Sequence, residues 1–423
     1  MRILWISNIQ FPAICRRLGI LSHISGGWMI SLAEKLNGTP GIDLSICTTY
    51  DGQDLLIVCE DGITYYLLPR KKNNTHYDKS LEKHWKKVIN DFKPDLVHIH
   101  GTEYVHGLSC LNSCQQLKYV ISLQGLLNAS SEFYFAGIHP KDVFRHITLH
   151  DILKKDSLFH QMKKFKRRSK FEKEYFKRIT HIIGRTDWDS AHAHYNNPNI
   201  KYHYCHEALR GRFYSEKKWN LEEKQDFTIF LSQAGYPLKG LHQALKALAI
   251  VKESFPNAHM RVAGHDITGE AGFKNKLRIS GYGFYVKTLI KKLNLLDNIT
   301  FTGPLDEEEM INEFRRAHVF VCPSSIENSS NSVAEAQLLG VPCIASFVGG
   351  LPSMIKHRET GLLYRFEDYV MLASYIMEIF KNDHLALDIS NMSRRIAMER
   401  HDRTKISTRI IEIYSEIIND TLT

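Results

Sequence analysis

The chain has 423 residues, of which 43% are apolar and 24% charged, and a formal net charge of +9. That length exceeds one ordinary core and implies two domains of roughly 200 residues each, while the composition excludes a disordered or low-complexity protein. No apolar run approaches the ~18 to 20 residues that span a bilayer, and "MRILWISNIQ" turns polar too soon for a secretory leader, so the expected location is cytoplasmic.

In chain order, "RILWIS", "LSICTTY", "ITYYLL", "LVHIH", "YVISLQG" and "HIIGRT" read as strands, with helices such as "GWMISLAEKL" and "HWKKVINDF" between them. Such βαβ alternation predicts a parallel sheet covered on both faces. Next comes "DILKKDSLFHQMKKFKRRSKFEKEYFKR", residues 151–178, with eleven Lys or Arg against four Asp or Glu. Leu158, Met162 and Phe165, then Phe171, Tyr175 and Ile179, recur at helical spacing, which predicts a basic amphipathic helix or helix pair. Its apolar face either packs on the domain or meets an anionic membrane surface. No recognition-helix or RNA-binding pattern accompanies the charge, so no nucleic-acid partner is expected.

The alternation restarts after the polar segment at 205–226. "FTIFLSQ", "HMRVAG", "ITFTG", "VFVCPS", "PCIAS" and "GLLYRF" read as strands, with "KGLHQALKALAIVKESF", "EEEMINEFRRA" and "SVAEAQLLG" as helices. The fold class is therefore α/β, with two doubly wound, Rossmann-like domains at 1–205 and 206–390 facing across a cleft, and a last helical stretch at 391–423. The eight cysteines show no CxxC or zinc spacing and read as buried free thiols.

Ligands of open α/β sheets bind beyond the carboxyl ends of strands, so residues just after strands carry the weight. Ser25, Gly26 and Gly27 open a helix and offer free amides to an anion, or form only a turn. Lys239, before Gly240 at a helix start, suits a cation beside a diphosphate, or is a solvated loop lysine. Gly349 and Gly350 turn the chain after "PCIAS". In "SSIENSSNSVAEAQLLG" the acids Glu327 and Glu335 stand eight apart. Ser332 and Glu335 have the spacing of a capping box, which gives Glu335 a structural alternative. Glu327 precedes the helix and has no capping use. One acid for sugar hydroxyls, one for a ribose, and the amides of Ser330, Asn331 and Ser332 for phosphates make a nucleotide-sugar site.

These residues resemble the E-x7-E signature of retaining glycosyltransferases with the GT-B fold, family four of the usual classification. Supporting elements are the Gly-Gly loop, "PDLVHIHG", the "KG" after the first strand of the second half, "NITFTGPL" and "GVPCIASFVGGLPSMIKHRETGLLY". The resemblance implies that Glu327 contacts donor-sugar hydroxyls, Glu335 the ribose and Lys239 the diphosphate, with Gly26 and Gly27 facing the diphosphate or the acceptor. Gln233 occupies the place of a usual arginine, and Arg185, Arg210 and Arg212 are the candidates to replace it. Gln124-Gly125 replaces a His-Gly, and with His100 it forms the acceptor-side candidates; Ser353 stands where a Glu is usual. The last helix, 391–423, is expected to cross back onto the first domain.

The implied reaction moves a sugar, with retention, from a nucleotide-diphosphate sugar, UDP by preference, to a hydroxyl of a saccharide or lipid-linked acceptor in bacterial surface polysaccharide (capsule) synthesis. Lys239 and helix amides would take the leaving-group charge, and neither metal nor other cofactor is expected. The inner membrane surface is an expected contact through 151–178. A non-catalytic nucleotide-sugar-binding partner subunit and an epimerase or hydrolase of the same fold are the alternatives.

Overall fold

A computed structural model of the chain describes residues 1–20, 26–70, 76–269 and 278–420. They form two compact units. The first comprises Met1–Asn128, Lys166–Arg210 and the segment from His401 onward; the second comprises Ala129–Phe165 and Gly211–Arg400.

The sheet of the first unit has eight strands: β1 (Arg2–Ile6), β2 (Asp43–Tyr50), β3 (Leu56–Glu60), β4 (Ile63–Pro69), β5 (Leu96–His100), β6 (Tyr119–Ser122), β7 (His181–Gly184) and β8 (Lys201–Tyr204), in the order β3-β4-β2-β1-β5-β6-β7-β8. All pairs are parallel except β3 with β4. The second unit has six: β9 (Thr228–Leu231), β10 (His259–Val262), β11 (Ile299–Phe301), β12 (Val319–Cys322), β13 (Cys343–Ser346) and β14 (Leu362–Tyr364), all parallel in the order β11-β10-β9-β12-β13-β14. Parallel strands need crossovers that cover both sheet faces, and the short runs "TIFL", "VFVC" and "CIAS" are accordingly buried throughout. Strand order reverses between β1 and β5 in one sheet and between β9 and β12 in the other. Those switch points are where the adjacent loops diverge and leave room for a ligand.

The units divide differently from the expected 205/206 boundary and the expected return at 391. Residues 129–165 belong to the second unit, and the chain returns to the first at His401. The returning helix, Arg403–Asn419, starts at Asp402, whose carboxylate accepts from the amides of Thr404 (2.8 Å) and Lys405 (2.9 Å). Its Tyr414 hydroxyl accepts from Trp5 Nε1 (2.9 Å) and bonds His98 Nδ1 (2.6 Å), while His98 Nε2 bonds Ser122 Oγ (2.7 Å). Lys118 Nζ donates to the carbonyls of Ile417, Ile418 and Asp420, which satisfies the helix's last acceptors.

The basic stretch is a helix pair: Leu149–Lys154, ended by Lys155 in the left-handed region (φ 50°), then Leu158–Arg178. Leu158, Tyr175 and Phe176 of the long helix are buried, as is Ile179 after it, so its apolar stripe is used in packing. No helix among the described residues is long and apolar enough to cross a membrane. All eight cysteines are free; Cys59 is exposed and the others are buried.

Burial lowers His98 to about 3 and His106, His242 and His318 to about 4. A base depressed in the folded state binds fewer protons there than in the unfolded chain, so its stability contribution is present above pH ~6.5 and is lost as pH falls. Denaturant midpoints should therefore drop as pH is lowered from about 6.5 to 5, each histidine contributing up to about 1.4 kcal/mol per pH unit. A flat profile over that range would contradict their neutral burial.

Candidate active site

In the second unit the loops after β9 and β12 meet at the switch point. The first ends in a short 3-10 turn, Pro237–Lys239, before helix Leu241–Ser254. The amide of Ser325 donates to Leu238 O (2.8 Å) and fastens the two loops together. Lys239 Nζ donates to Glu327 Oε2 at 2.9 Å, and Ser324 Oγ donates to the same oxygen at 3.1 Å. Among the described residues Oε1 receives no hydrogen bond. The two side chains keep 18% and 19% of their surface exposed. Burial alone would lower Lys239, but the Glu327 carboxylate more than reverses this, and the net displacement is upward. Lys239 is thus a fixed ammonium throughout the neutral range.

Two glycines make this approach possible. Gly240 has φ +72°, and a Cβ there would lie 1.7 Å from Pro323 O; Gly349 has φ +52°, and a Cβ there would lie 1.9 Å from Glu327 O. The "KG" and the first glycine of "GGLP" are therefore spacers that let the β9 and β13 loops press on the backbone carrying Glu327. Gly350 N–H completes the contact by donating to Glu327 O (3.0 Å).

Helix Asn331–Leu339 follows. Its N-cap is Ser330, whose hydroxyl accepts from Val333 N–H (3.4 Å). The expected Ser332–Glu335 capping box is absent, because the helix starts two residues earlier than that spacing supposes. Glu335 stands instead in the second turn, 7% exposed. Of the expected amide donors, Ser330 N–H points to Met354 Sδ (3.2 Å); those of Asn331 and Ser332 are first-turn donors with no intrahelical carbonyl behind them. Gln233 is exposed on the β9 loop. Arg212 pairs with Glu308 (3.1 Å) and Glu216 (3.6 Å). Ser353 lies in the short helix Leu351–Met354, its amide bonded to Gly350 O. Among the described residues no group of three or more His, Cys, Asp or Glu comes together as a metal site requires.

The first unit has a pocket of about 440 Å³ at its own switch point, reached by Asn8 and Gln10 after β1, Glu103 after β5, Gln124 after β6, Arg70 and Gly26. Gly26 is the N-cap of helix Gly27–Asn37, and the aliphatic stem of Arg210 packs over Gly27; Ser25 lies outside the described residues. Gln124 Nε2 donates to Glu207 Oε1 (2.6 Å), and Glu207 also pairs with the buried Arg185, which donates to Leu123 O. Arg185 is thus committed to holding the Gln124 loop and does not replace the missing phosphate cation.

His100, expected on the acceptor side, is not in the pocket wall. It is 3% exposed, with its ring 4.4 Å from Trp5, 3.9 Å from His98 and 5.6 Å from Trp28. The alternation of β5 points it into the core, and burial holds it neutral. The residue that sequence reasoning missed is Glu103. Its Oε1 accepts from Gly125 N–H (2.7 Å), its Oε2 is buried without a hydrogen bond, and burial raises its carboxyl despite the Gly125 donor. The signal was its position, three residues past a central strand at the switch point.

Residues 212–396 match the family model described as glycosyl transferases group 1. This segment is a glycosyl transferases group 1 domain. Over 161 residues the chain is 28% identical to the D-inositol 3-phosphate glycosyltransferase of Streptomyces coelicolor, covering 38% of the chain and 34% of that relative; the chain thus spans about a third of the length of the curated relatives it matches. Among solved structures, sucrose-phosphate synthase from Thermosynechococcus elongatus aligns with a TM-score of 0.71 at 17% identity over 99% of both chains. HepE of Anabaena, solved in complex with UDP and glucose, aligns with a TM-score of 0.64 at 16% identity over 98% of this chain and 99% of that one. At these identities the likeness shows the fold, which is GT-B: two Rossmann-like units built on parallel sheets. In the group 1 domain, Lys239 and Glu327 are the residues brought together at the switch point.

Because the spacer glycines have no room for a methyl group, Gly349→Ala and Gly240→Ala should each lower the unfolding free energy by about 2 kcal/mol or more. Gly235, with nothing within 4 Å of its Cβ position, should accept alanine with little change. Chemical denaturation of the three variants checks this; equal effects at all three would remove the spacer role.

Proposed function

We propose that the chain transfers a sugar from a nucleotide-diphosphate sugar, a UDP-sugar in the first instance, to a hydroxyl of a saccharide or lipid-linked acceptor, with retention at the anomeric carbon. The observation that carries this reading is the Lys239–Glu327 pair at the switch point of a group 1 domain. UDP is preferred because HepE was solved with it. Bacterial surface polysaccharide, such as capsule, is the setting that fits a hydroxyl acceptor at an anionic membrane face.

In this reading the second unit holds the donor. As the bond between the anomeric carbon and the diphosphate oxygen breaks, the electron pair leaves with the diphosphate and the sugar becomes oxocarbenium-like. Lys239 and the amides of Asn331 and Ser332 take that charge in a setting already ordered before the reaction. Glu327 accepts from sugar hydroxyls through Oε1, and Glu335 from the ribose. No metal or other cofactor enters the scheme. Gln124 and Glu103 serve the acceptor, binding its hydroxyls at the first unit's pocket.

A thermal-shift screen against nucleotide diphosphates and their sugars tests the donor, since a ligand at about a hundred times its dissociation constant adds about 2.7 kcal/mol. Glu335→Ala should lose most of that stabilisation by the nucleotide alone, whereas Glu327→Ala should lose only the increment contributed by the sugar. Lys239→Ala should lower kcat by about 10² to 10³. Full nucleotide affinity in Glu335→Ala refutes the ribose role. Donor consumption without acceptor indicates a hydrolase or epimerase, and binding without turnover a partner subunit.

A further inference from the structure

Helices Pro140–Arg145 and Leu149–Lys154 are held on the second unit by one face only. Val143, His146 and Asp151 are buried. The His146 ring lies 5.3 Å from those of Phe284 and Tyr285, and Thr148 Oγ1 donates to Ile279 O (2.9 Å). The remaining apolar residues take no part in this docking: Phe144, Leu149, Ile152 and Leu153 are 72%, 80%, 61% and 82% exposed. Leu149, Ile152 and Leu153 stand at i, i+3 and i+4 and so share one side of their helix. Large apolar side chains displayed together mark a surface that meets something other than water.

The charge around them selects the partner. Lys141, Arg145, Lys154 and Lys155 are exposed. The acids of 140–155 are Asp142, 3.8 Å from Arg145, and Asp151, buried at 1%. A second copy of this chain would bring the same cations face to face, whereas an anionic lipid surface accepts the leucines at its acyl boundary and the lysines at its phosphates. We propose that this helix pair, rather than the long helix Leu158–Arg178 whose stripe is packed, seats the protein on anionic membrane through Phe144, Leu149, Ile152 and Leu153. This deepens the lipid-linked reading of the acceptor, and its test uses neither donor nor acceptor.

The full chain is sedimented with vesicles of phosphatidylcholine mixed with phosphatidylglycerol, and with phosphatidylcholine alone. Binding is expected to the mixed vesicles, to weaken with added salt, and to fall about tenfold or more both in Leu149→Gln/Leu153→Gln and in Lys154→Glu/Lys155→Glu. All four side chains are exposed, so melting temperature and nucleotide binding should be unchanged, which separates this result from a failure of the transfer reading. The proposal is overturned if wild type ignores the mixed vesicles, if the leucine variant binds them as wild type does, or if that variant instead dissolves a dimer seen by sedimentation velocity.

Discussion

The ion pair between Lys239 and Glu327 is the contact around which the second unit's functional end is arranged. Opposite charges 2.9 Å apart, each about four-fifths buried, stabilise one another only while both are present; removal of one partner of a fully buried pair costs about 3 to 5 kcal/mol, less here because both are partly solvated. The pair requires the loops after β9 and β12 to run side by side, and that requirement reaches Gly240 and Gly349, which have no functional groups of their own. In the proposed reaction a diphosphate arrives as a second anion for an ammonium already stripped of most of its water. Much of the desolvation cost of binding has thus been met in folding.

The first unit answers the same topological rule with different chemistry. Its switch point gathers Arg70, Gln124 and a carboxyl whose burial favours the protonated form. Trp28, in the lining of that pocket, stands against His100, and Arg185 with Glu207 braces Gln124. In the proposed reaction this pocket would take the polyhydroxyl acceptor and the other unit the anionic donor.

Both sheets were legible in the sequence because buried parallel strands read as unbroken apolar runs. β3 and β8 escaped notice as edge strands: "LIVCE" exposes three of its apolar residues and "KYHY" is mostly polar. The meeting of Lys239 and Glu327 was legible from their positions after strands, but the capping box was misread because one serine earlier in the same polar run takes the cap. His100 misled for a different reason, since strand position identifies the sheet end but one step of the pleat decides between pocket and core. Nor could local pattern assign 129–165 to the second unit, where the fastening is long-range: His242 Nε2 bonds Ala136 O across 106 positions.

The hydrogen bond between Trp5 and Tyr414 closes a span of 409 residues. During synthesis the first strand therefore waits for nearly the whole polypeptide before its core is sealed, and the second unit is assembled while the first still lacks a helix. Topology of this kind slows folding and leaves apolar sheet open to aggregation in the meantime. Loss of only the last twenty or so residues should thus be felt at the opposite end of the chain, as a nascent unit that a chaperone must shelter.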